Sequence, residues 1–376
     1  MGDSTKAGIT PIVMPKWGLS MKEGTLTSWL VEEGAEIKVG APILEVETDK
    51  IANAVEAPDP GTLRRKVAQE GEKLPVKALL GVMAEADVSD ADIDAYVAAY
   101  VTPADTEGED AEAAPDYRFA EVDGLSIRYA RRGADDGLPL LFIHGFGGDL
   151  DNWLFNIDAL GEKSPVIALD LPGHGQSTPR LPGTSITALA AFVARFMDVT
   201  ELGQAHLVGH SMGAAIAAQM ALDHPRRVAS LALIGAAGLG PEINAGYIEG
   251  FVAAASRREL KPVLEQLFAD PGLVTRQMID DVLKYKRLDG VGELLGALGR
   301  SVFGGGRQAE QPGLRLAESG KPVLVIWGHE DRIIPARHAG SAPLGATVEV
   351  FDGAGHMVQM ERANEVNRLL RRHVGG

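Results

Sequence analysis

The pentapeptide Gly209-His210-Ser211-Met212-Gly213 constrains this chain more than any other stretch, because of what flanks it. The apolar run Ala205-His206-Leu207-Val208 precedes it and the Ala-rich segment Ala214 to Ala221 follows. A β run, then Gly-x-Ser-x-Gly, then a helix is the context in which a serine rides a sharp strand-to-helix turn. Such a turn strains the serine backbone, and glycine two residues to either side lets strand and helix approach. The pattern predicts that Ser211 holds its hydroxyl out above the end of a sheet. In a chain with 45 glycines the same pentapeptide also suits a plain turn, so its meaning depends on partners elsewhere.

Those partners follow a regular alternation. From Tyr117 onward, short apolar runs are separated by helical segments: Leu125 to Arg131, Leu140 to Ile143, Val166 to Leu169, His206 to Val208, Leu231 to Ile234, Val323 to Trp327 and Val348 to Phe351. Runs of this kind are strands buried on both faces, which implies a mostly parallel sheet covered by helices. Functional groups in such a sheet belong at the carboxyl ends of its strands. Leu141-Phe142-Ile143 leads into His144-Gly145-Phe146-Gly147-Gly148, a turn whose Phe146 N–H, with the Met212 N–H, would form an oxyanion hole. Val323 to Gly328 leads into His329-Glu330-Asp331, where Asp331 is the candidate acid and Glu330 its neighbouring rival. Val348 to Phe351 leads into Asp352-Gly353-Ala354-Gly355-His356, a glycine-rich loop before a C-terminal helix from Glu361 to Arg372. That position singles out His356 among nine histidines. His356 would act as general base toward Ser211, and Asp331 would hold its tautomer.

Ser, Asp, His in that chain order resembles the α/β-hydrolases. The loop Asp170-Leu171-Pro172-Gly173-His174-Gly175-Gln176-Ser177 also resembles one common in that fold, so the resemblance runs from Tyr117 to His373. It implies that the helical stretch at about 239–319 is a cap shaping the substrate pocket. Arg257, Arg258, Lys261, Arg276, Lys284, Lys286 and Arg287 make this stretch locally basic. They suit either the phosphates of coenzyme A or a solvated helix face.

The first part of the chain repeats itself. Gly24-Thr25-Leu26 returns as Gly61-Thr62-Leu63, Glu33-Gly34 as Glu70-Gly71, Ile37 as Leu74 and Val39 as Val76, each after 37 residues. Two glycine-punctuated copies of a short-strand unit predict a small all-β sandwich of two similar halves. Between them, Ile43 to Val55 reads as strand, tight turn, strand, with Asp49-Lys50 at the tip. Glu47-Thr48-Asp49-Lys50 between such half-repeats resembles the lipoyl domains of 2-oxo acid dehydrogenase complexes. The resemblance implies that Lys50 carries lipoate through an amide. Related biotin carriers have methionine on both sides of the lysine, whereas Lys50 has Asp49 and Ile51.

Residues 8–87 are thus expected to form the carrier domain, 88–116 an acidic flexible linker and 117–376 the α/β-hydrolase domain. Val88 to Val101 has room for one short helix. Thr102 to Pro115 carries five acidic residues and no basic one, so it cannot bury enough apolar surface to fold. Its 14 or so residues reach at most roughly 50 Å. The formal charge of −16 disfavours nucleic acid and anionic membranes as partners. No cysteine is present, which excludes disulfides, a thiol nucleophile and cysteine-ligated metal. Without a signal peptide or a long apolar run, a cytoplasmic protein is expected.

Together, the two halves resemble the dihydrolipoamide acetyltransferase components of acetoin dehydrogenase complexes. That resemblance implies a separate thiamine-diphosphate-dependent enzyme that cleaves acetoin and loads acetyl on the Lys50 arm, coenzyme A as acceptor, and a flavin dihydrolipoamide dehydrogenase that reoxidises the arm. The His-x-x-x-Asp-Gly motif of the usual acyltransferase domain is absent. The alternative reading is a serine hydrolase, a thioesterase or esterase, that carries a lipoyl domain.

Overall fold

The computed structural model describes residues 8–17, 21–48, 52–57, 59–85, 87–103, 117–133 and 136–375. The chain divides into two compact units, Met1–Ala114 and Pro115–Gly376.

The first unit contains β1 (Ile9–Val13), β2 (Glu23–Trp29), β3 (Glu36–Ile37), β4 (Pro42–Glu47), β5 (Ala52–Glu56), β6 (Gly61–Lys66), β7 (Lys73–Pro75), β8 (Leu79–Ala84) and helix α1 (Asp90–Ala99). Its two four-stranded sheets have the orders β1-β8-β6-β3 and β5-β4-β2-β7. The 37-residue offset carries β2 onto β6, β3 onto β7 and β4 onto β8, so each sheet is built as a copy of the other. The core obeys the same offset. Leu26 and Leu63, Ile43 and Leu80, and Val46 and Met83 are equivalent pairs, all buried in one cluster. The two Glu-Gly pairs clamp the opposite halves symmetrically. Glu33 accepts from the Lys66 N–H at 2.6 Å and Glu70 from the Trp29 N–H at 2.8 Å. The Gly34 N–H donates to the Leu63 carbonyl and the Gly71 N–H to the Leu26 carbonyl, both at 2.7 Å. Val39 and Val76 break the symmetry, the first exposed and the second buried.

Strands β4 and β5 pair antiparallel, with Glu47 opposite Ala52. Asp49, Lys50 and Ile51, in the connection between these strands, lie outside the described residues.

The expected linker begins later than Val88. Ser89 caps α1 through its hydroxyl, and Ile93 is fully buried against Ile9, Leu79, Val82 and Ala84, with Tyr96, Val97 and Tyr100 packed alongside. This apolar stripe at helical spacing gives the acidic segment something to bury. Arg64 and Arg65 of β6 pair with Asp90 and Asp94 at 2.8 and 2.6 Å. The helix therefore belongs to the first unit. Residues 104–116, the rest of that linker, lie outside the described residues.

The second unit contains β9 (Arg118–Val122), β10 (Leu125–Arg132), β11 (Leu140–Ile143), α2 (Leu154–Gly161), β12 (Val166–Leu169), α3 (Ile186–Val199), β13 (Ala205–His210), α4 (Met212–Asp223), β14 (Val228–Ile234), α5 (Ala245–Ala253), α6 (Arg257–Leu264), α7 (Arg276–Lys286), α8 (Val291–Phe303), β15 (Val323–Gly328), β16 (Thr347–Phe351), α9 (Val358–Glu361) and α10 (Ala363–Val374). Its eight-stranded sheet has the order β16-β15-β14-β13-β11-β12-β10-β9. The strands from β16 to β12 are parallel, and β10 alone is reversed, pairing antiparallel with both β12 and β9. Residues 239–319 are largely helical, with α5 to α8 inserted between β14 and β15. Among the described residues, no helix is long and apolar enough to cross a membrane.

The sheet carries one buried ion pair. Arg128 on β10 donates through Nε to Asp170 Oδ2 at 2.6 Å and through Nη2 to Oδ1 at 3.2 Å. The Leu150 and Gln176 amides donate to the same carboxylate at 2.9 and 2.8 Å, so Asp170 anchors two loops at the end of β12. Burial pushes the Asp170 carboxyl above its usual range, against the pull of Arg128. Removing one partner leaves a buried charge uncompensated, which costs about 3–5 kcal/mol. Arg128→Met should therefore lower the stability of the second unit by that amount in urea titration followed by circular dichroism. A loss below about 1 kcal/mol would show that the pair is solvated.

Candidate active site

β13 ends at His210 and α4 begins at Met212, so the chain reverses at Ser211. Its backbone stands at φ 54° and ψ −118°, outside the regions open to an ordinary L-residue. Strain of this kind costs about 1–3 kcal/mol and persists only where the surroundings over-determine it. Here the Ser211 N–H donates to the Ile234 carbonyl at 2.9 Å, and its carbonyl accepts from the Ala214 and Ala237 amides at 3.0 and 3.1 Å. Crowding dictates the glycines. A Cβ on Gly209 would stand 2.6 Å from Ala214 Cα, and one on Gly213 would stand 2.6 Å from the His144 carbonyl oxygen. Gly145 is held as tightly, since its Cβ would lie 2.9 Å from that of Ser211.

Asp331 lies just beyond β15. Its Oδ1 accepts from the Ile333 and Ile334 amides at 2.8 and 2.9 Å. Oδ2 accepts from Trp327 Nε1 at 3.0 Å and lies 2.7 Å from His356 Nδ1. Both side chains are shielded from solvent. Because the carboxylate accepts at every contact, His356 carries its proton on Nδ1 and keeps Nε2 as the basic nitrogen. Glu330 is exposed and accepts from the Ala354 amide at 3.1 Å, where it braces the loop before His356.

Ser211, Phe146 and His356 line one pocket with about 700 Å³ of empty space, counted to its open mouth. Tyr247, Phe251, Phe268 and Phe303 make its walls largely apolar. The Phe146 ring meets Phe251 at 5.9 Å and Phe303 at 6.2 Å, both edge-on. Among the described residues, no acceptor takes up the N–H of Phe146 or of Met212. The second unit thus brings together all five residues singled out there, namely Ser211, Asp331, His356, Phe146 and Met212. Lys50 lies outside the described residues.

Sequence reasoning missed three histidines that support the site. His210, the unspecified second position of the pentapeptide, donates from Nε2 to the His356 carbonyl at 2.9 Å, and the two rings lie 4.7 Å apart. His144 donates from Nδ1 to the Gly145 carbonyl at 2.7 Å and accepts from the Leu171 amide at Nε2. His174 donates from Nδ1 to the Pro172 carbonyl at 3.0 Å. His210 and the Nε2 of His144 bond to backbone brought near by the fold, whereas the Nδ1 bonds of His144 and His174 go to carbonyls one and two residues away.

Burial holds the pKa of His144 and His210 well below the usual value and lowers that of His174 to about 4. An unfolded histidine protonates near pH about 6.5. Each therefore contributes stability that is present above that pH and lost as pH falls through the folded value. Nitrogen NMR of the imidazoles at pH 5.5 should show all three neutral, His210 as the Nε2–H tautomer and His144 and His174 as Nδ1–H. An imidazolium signal from any of them would contradict the assigned bonding.

Comparison with known proteins agrees with both units. A family model described as the alpha/beta hydrolase fold matches residues 139–363, and one described as biotin-requiring enzyme matches residues 10–83. The dihydrolipoyllysine-residue acetyltransferase component of acetoin cleaving system from Cupriavidus necator is 68% identical, with 98% of each chain covered. Its namesake from Pseudomonas putida is 50% identical, covering 97% of this chain and 99% of its own. Among solved structures, a meta-cleavage product hydrolase from Pseudomonas fluorescens IP01 aligns with a TM-score of 0.61 at 26% identity, over 68% of this chain and 96% of its own. The chain belongs to the family of dihydrolipoyllysine-residue acetyltransferase components of acetoin cleaving systems, in which a biotin/lipoyl-type β domain precedes an α/β-hydrolase domain.

Proposed function

We infer that the second unit transfers an acetyl group from a dihydrolipoyl thioester to the thiol of coenzyme A, with Ser211 as the intermediate carrier. His356 Nε2 takes the proton of the Ser211 hydroxyl as its oxygen attacks the acetyl carbonyl. The Phe146 and Met212 amides receive the developing oxyanion, each worth roughly 3–4 kcal/mol. The carbon–sulfur bond then breaks, and His356 returns the proton to the departing sulfur. In the second half the coenzyme A thiol gives its proton to His356 and its sulfur attacks the acetyl-serine; as the bond to Ser211 breaks, His356 returns that proton to the serine oxygen, which yields acetyl-CoA and the free hydroxyl. Asp331 holds the imidazole and stabilises its cation throughout.

One observation carries this reading: the 2.7 Å contact between Asp331 and His356, whose imidazole lines the same pocket as Ser211. The family to which the chain belongs names the donor. Lipoate, amide-linked to Lys50, supplies the sulfur that brings acetyl to the site. The side of the first unit that bears on this is the paired β4 and β5, between which Lys50 falls in sequence. The name of the relatives supports a multienzyme assembly. Its other members, on this reading, are a thiamine-diphosphate-dependent enzyme that cleaves acetoin and a flavin dihydrolipoamide dehydrogenase.

The test supplies free S-acetyldihydrolipoamide and coenzyme A to the purified full-length chain and separates acetyl-CoA from acetate. The wild type should make acetyl-CoA, and Ser211→Ala should lower its rate by about 10⁴-fold or more. Acetate as the product would establish a hydrolase in place of a transferase. Undiminished acetyl-CoA from Ser211→Ala would remove the serine from the mechanism. Intact mass should show a lipoyl adduct on the wild type from lipoate-fed cells and none on Lys50→Ala.

A further inference from the structure

Helix α7 forms a wall between two hollows. Met278 and Val282 line the pocket of Ser211, whereas Asp280, Leu283 and Arg287 line a second, solvent-open cleft with about 840 Å³ of empty space. At 100° per residue these two sets fall on opposite faces of the helix. The far wall of the cleft is the start of α6, with Ser256, Arg257 and Arg258.

The basic residues of the cap divide by what they touch. Lys286 donates to the carbonyls of Phe251 and Ala254 and so ties α7 to the end of α5. Lys261 pairs with Glu265. Arg257 forms a two-point pair with Asp280, at 2.5 and 2.7 Å. Arg258 and Arg287 are exposed, and their guanidinium groups carry no hydrogen-bond or ion-pair partner among the described residues. The cleft therefore holds three guanidinium groups against one carboxylate, in a chain whose formal charge is −16. Concentrating cations in a concave site against an opposite overall charge costs self-repulsion, which an anionic ligand relieves. Planar guanidinium forks match phosphate geometry.

The geometry points to the cleft of Arg257, Arg258 and Arg287 as the seat of the phosphate-bearing end of coenzyme A. This rests on coenzyme A being the acceptor at Ser211 and adds where its nucleotide binds. A helix with its side chains is about 10–12 Å across. The pantetheine arm is as long as about four extended residues, roughly 14 Å. Half the girth of such a helix is about 16–19 Å, so the arm together with the diphosphate covers the path around α7 that brings the thiol to the apolar pocket, with the 3′-phosphate left among the arginines. Arg257 is already held by Asp280, which leaves Arg258 and Arg287 as the groups that meet phosphate.

The experiment compares coenzyme A, dephospho-coenzyme A and pantetheine as acceptors for the full-length wild type and for Arg258→Ala/Arg287→Ala. Both positions are exposed, so the fold should survive, and circular dichroism checks it. The double variant should raise KM for coenzyme A by about tenfold or more, the factor that one charge-assisted contact supplies. The loss should shrink for dephospho-coenzyme A and vanish for pantetheine. Rising salt should raise the wild-type KM for coenzyme A toward that of the variant. An unchanged KM for coenzyme A, or an equal loss with pantetheine, overturns the assignment. Calorimetric binding of adenosine 3′,5′-bisphosphate to both proteins reads the cleft without turnover. If the wild type forms acetate alone, the transferase reading fails, and this titration still decides the cleft: about tenfold weaker binding by the variant sustains it, and equal binding refutes it.

Discussion

The strained backbone at Ser211 organises the second unit, because a conformation that costs about 1–3 kcal/mol must be imposed by its neighbours. The imposition comes from the two neighbouring strands and the loop after one of them. β14 accepts the Ser211 amide through Ile234, the loop after β14 donates to its carbonyl through Ala237, and the end of β11 packs so closely that Gly145 and Gly213 admit no side chain. β13 lies between β11 and β14 in the sheet, so the turn sits where both neighbours can reach it. A serine in an ordinary loop could turn its hydroxyl aside. Here the fixed main chain holds Ser211 at the wall of the pocket.

The same economy governs the charged and titratable groups beneath the site. His144, His174 and His210 each give a ring proton to a backbone carbonyl, and burial keeps the rings neutral. They act as shaped spacers that satisfy loop carbonyls without adding charge near the developing oxyanion. A cation at these positions would compete with the imidazolium that the proposed mechanism forms at His356. The Arg128–Asp170 ion pair at this end of the sheet is compensated on both sides and further bonded to two amides.

Much of this was legible in the sequence, and the part that was not has physical causes. The central strands are buried on both faces and read as apolar runs, and the serine and acid follow two of them, β13 and β15; the base follows β16, whose run Val348 to Phe351 reads as buried on both faces but is an edge strand and largely exposed. The 37-residue repeat announced two matching sheets, because Leu26 and Leu63 or Ile43 and Leu80 perform the same task in each. β9 escaped notice since it is an edge strand with three exposed positions, and its Arg118, Phe119 and Glu121 hide the alternation. Helix α1 was obscured in the opposite way. Its aspartates suggested a solvated linker, although Ile93, Tyr96, Val97 and Tyr100 form a stripe that covers the sheet. The role of His210 could not be read at all, because its partner is a carbonyl 146 residues away.

Whether such a site hydrolyses or transfers depends on which nucleophile meets the acetyl-serine. Water in this pocket finds the rings of Phe146, Phe251, Phe268 and Phe303 and few polar partners, so it is poorly held for attack. A thiol is less strongly hydrated and, as the more readily ionised group, is the better nucleophile once His356 takes its proton. An acceptor fastened at its distant phosphates also arrives with its reacting end already confined, which lowers the entropic part of the barrier. Apolar walls beside Ser211 and cationic groups across α7 thus act on one choice from two directions. On the proposed mechanism, the first would withhold water and the second would raise the local concentration of thiol, so that an acyl-serine would partition toward transfer without any change in the three residues at its centre.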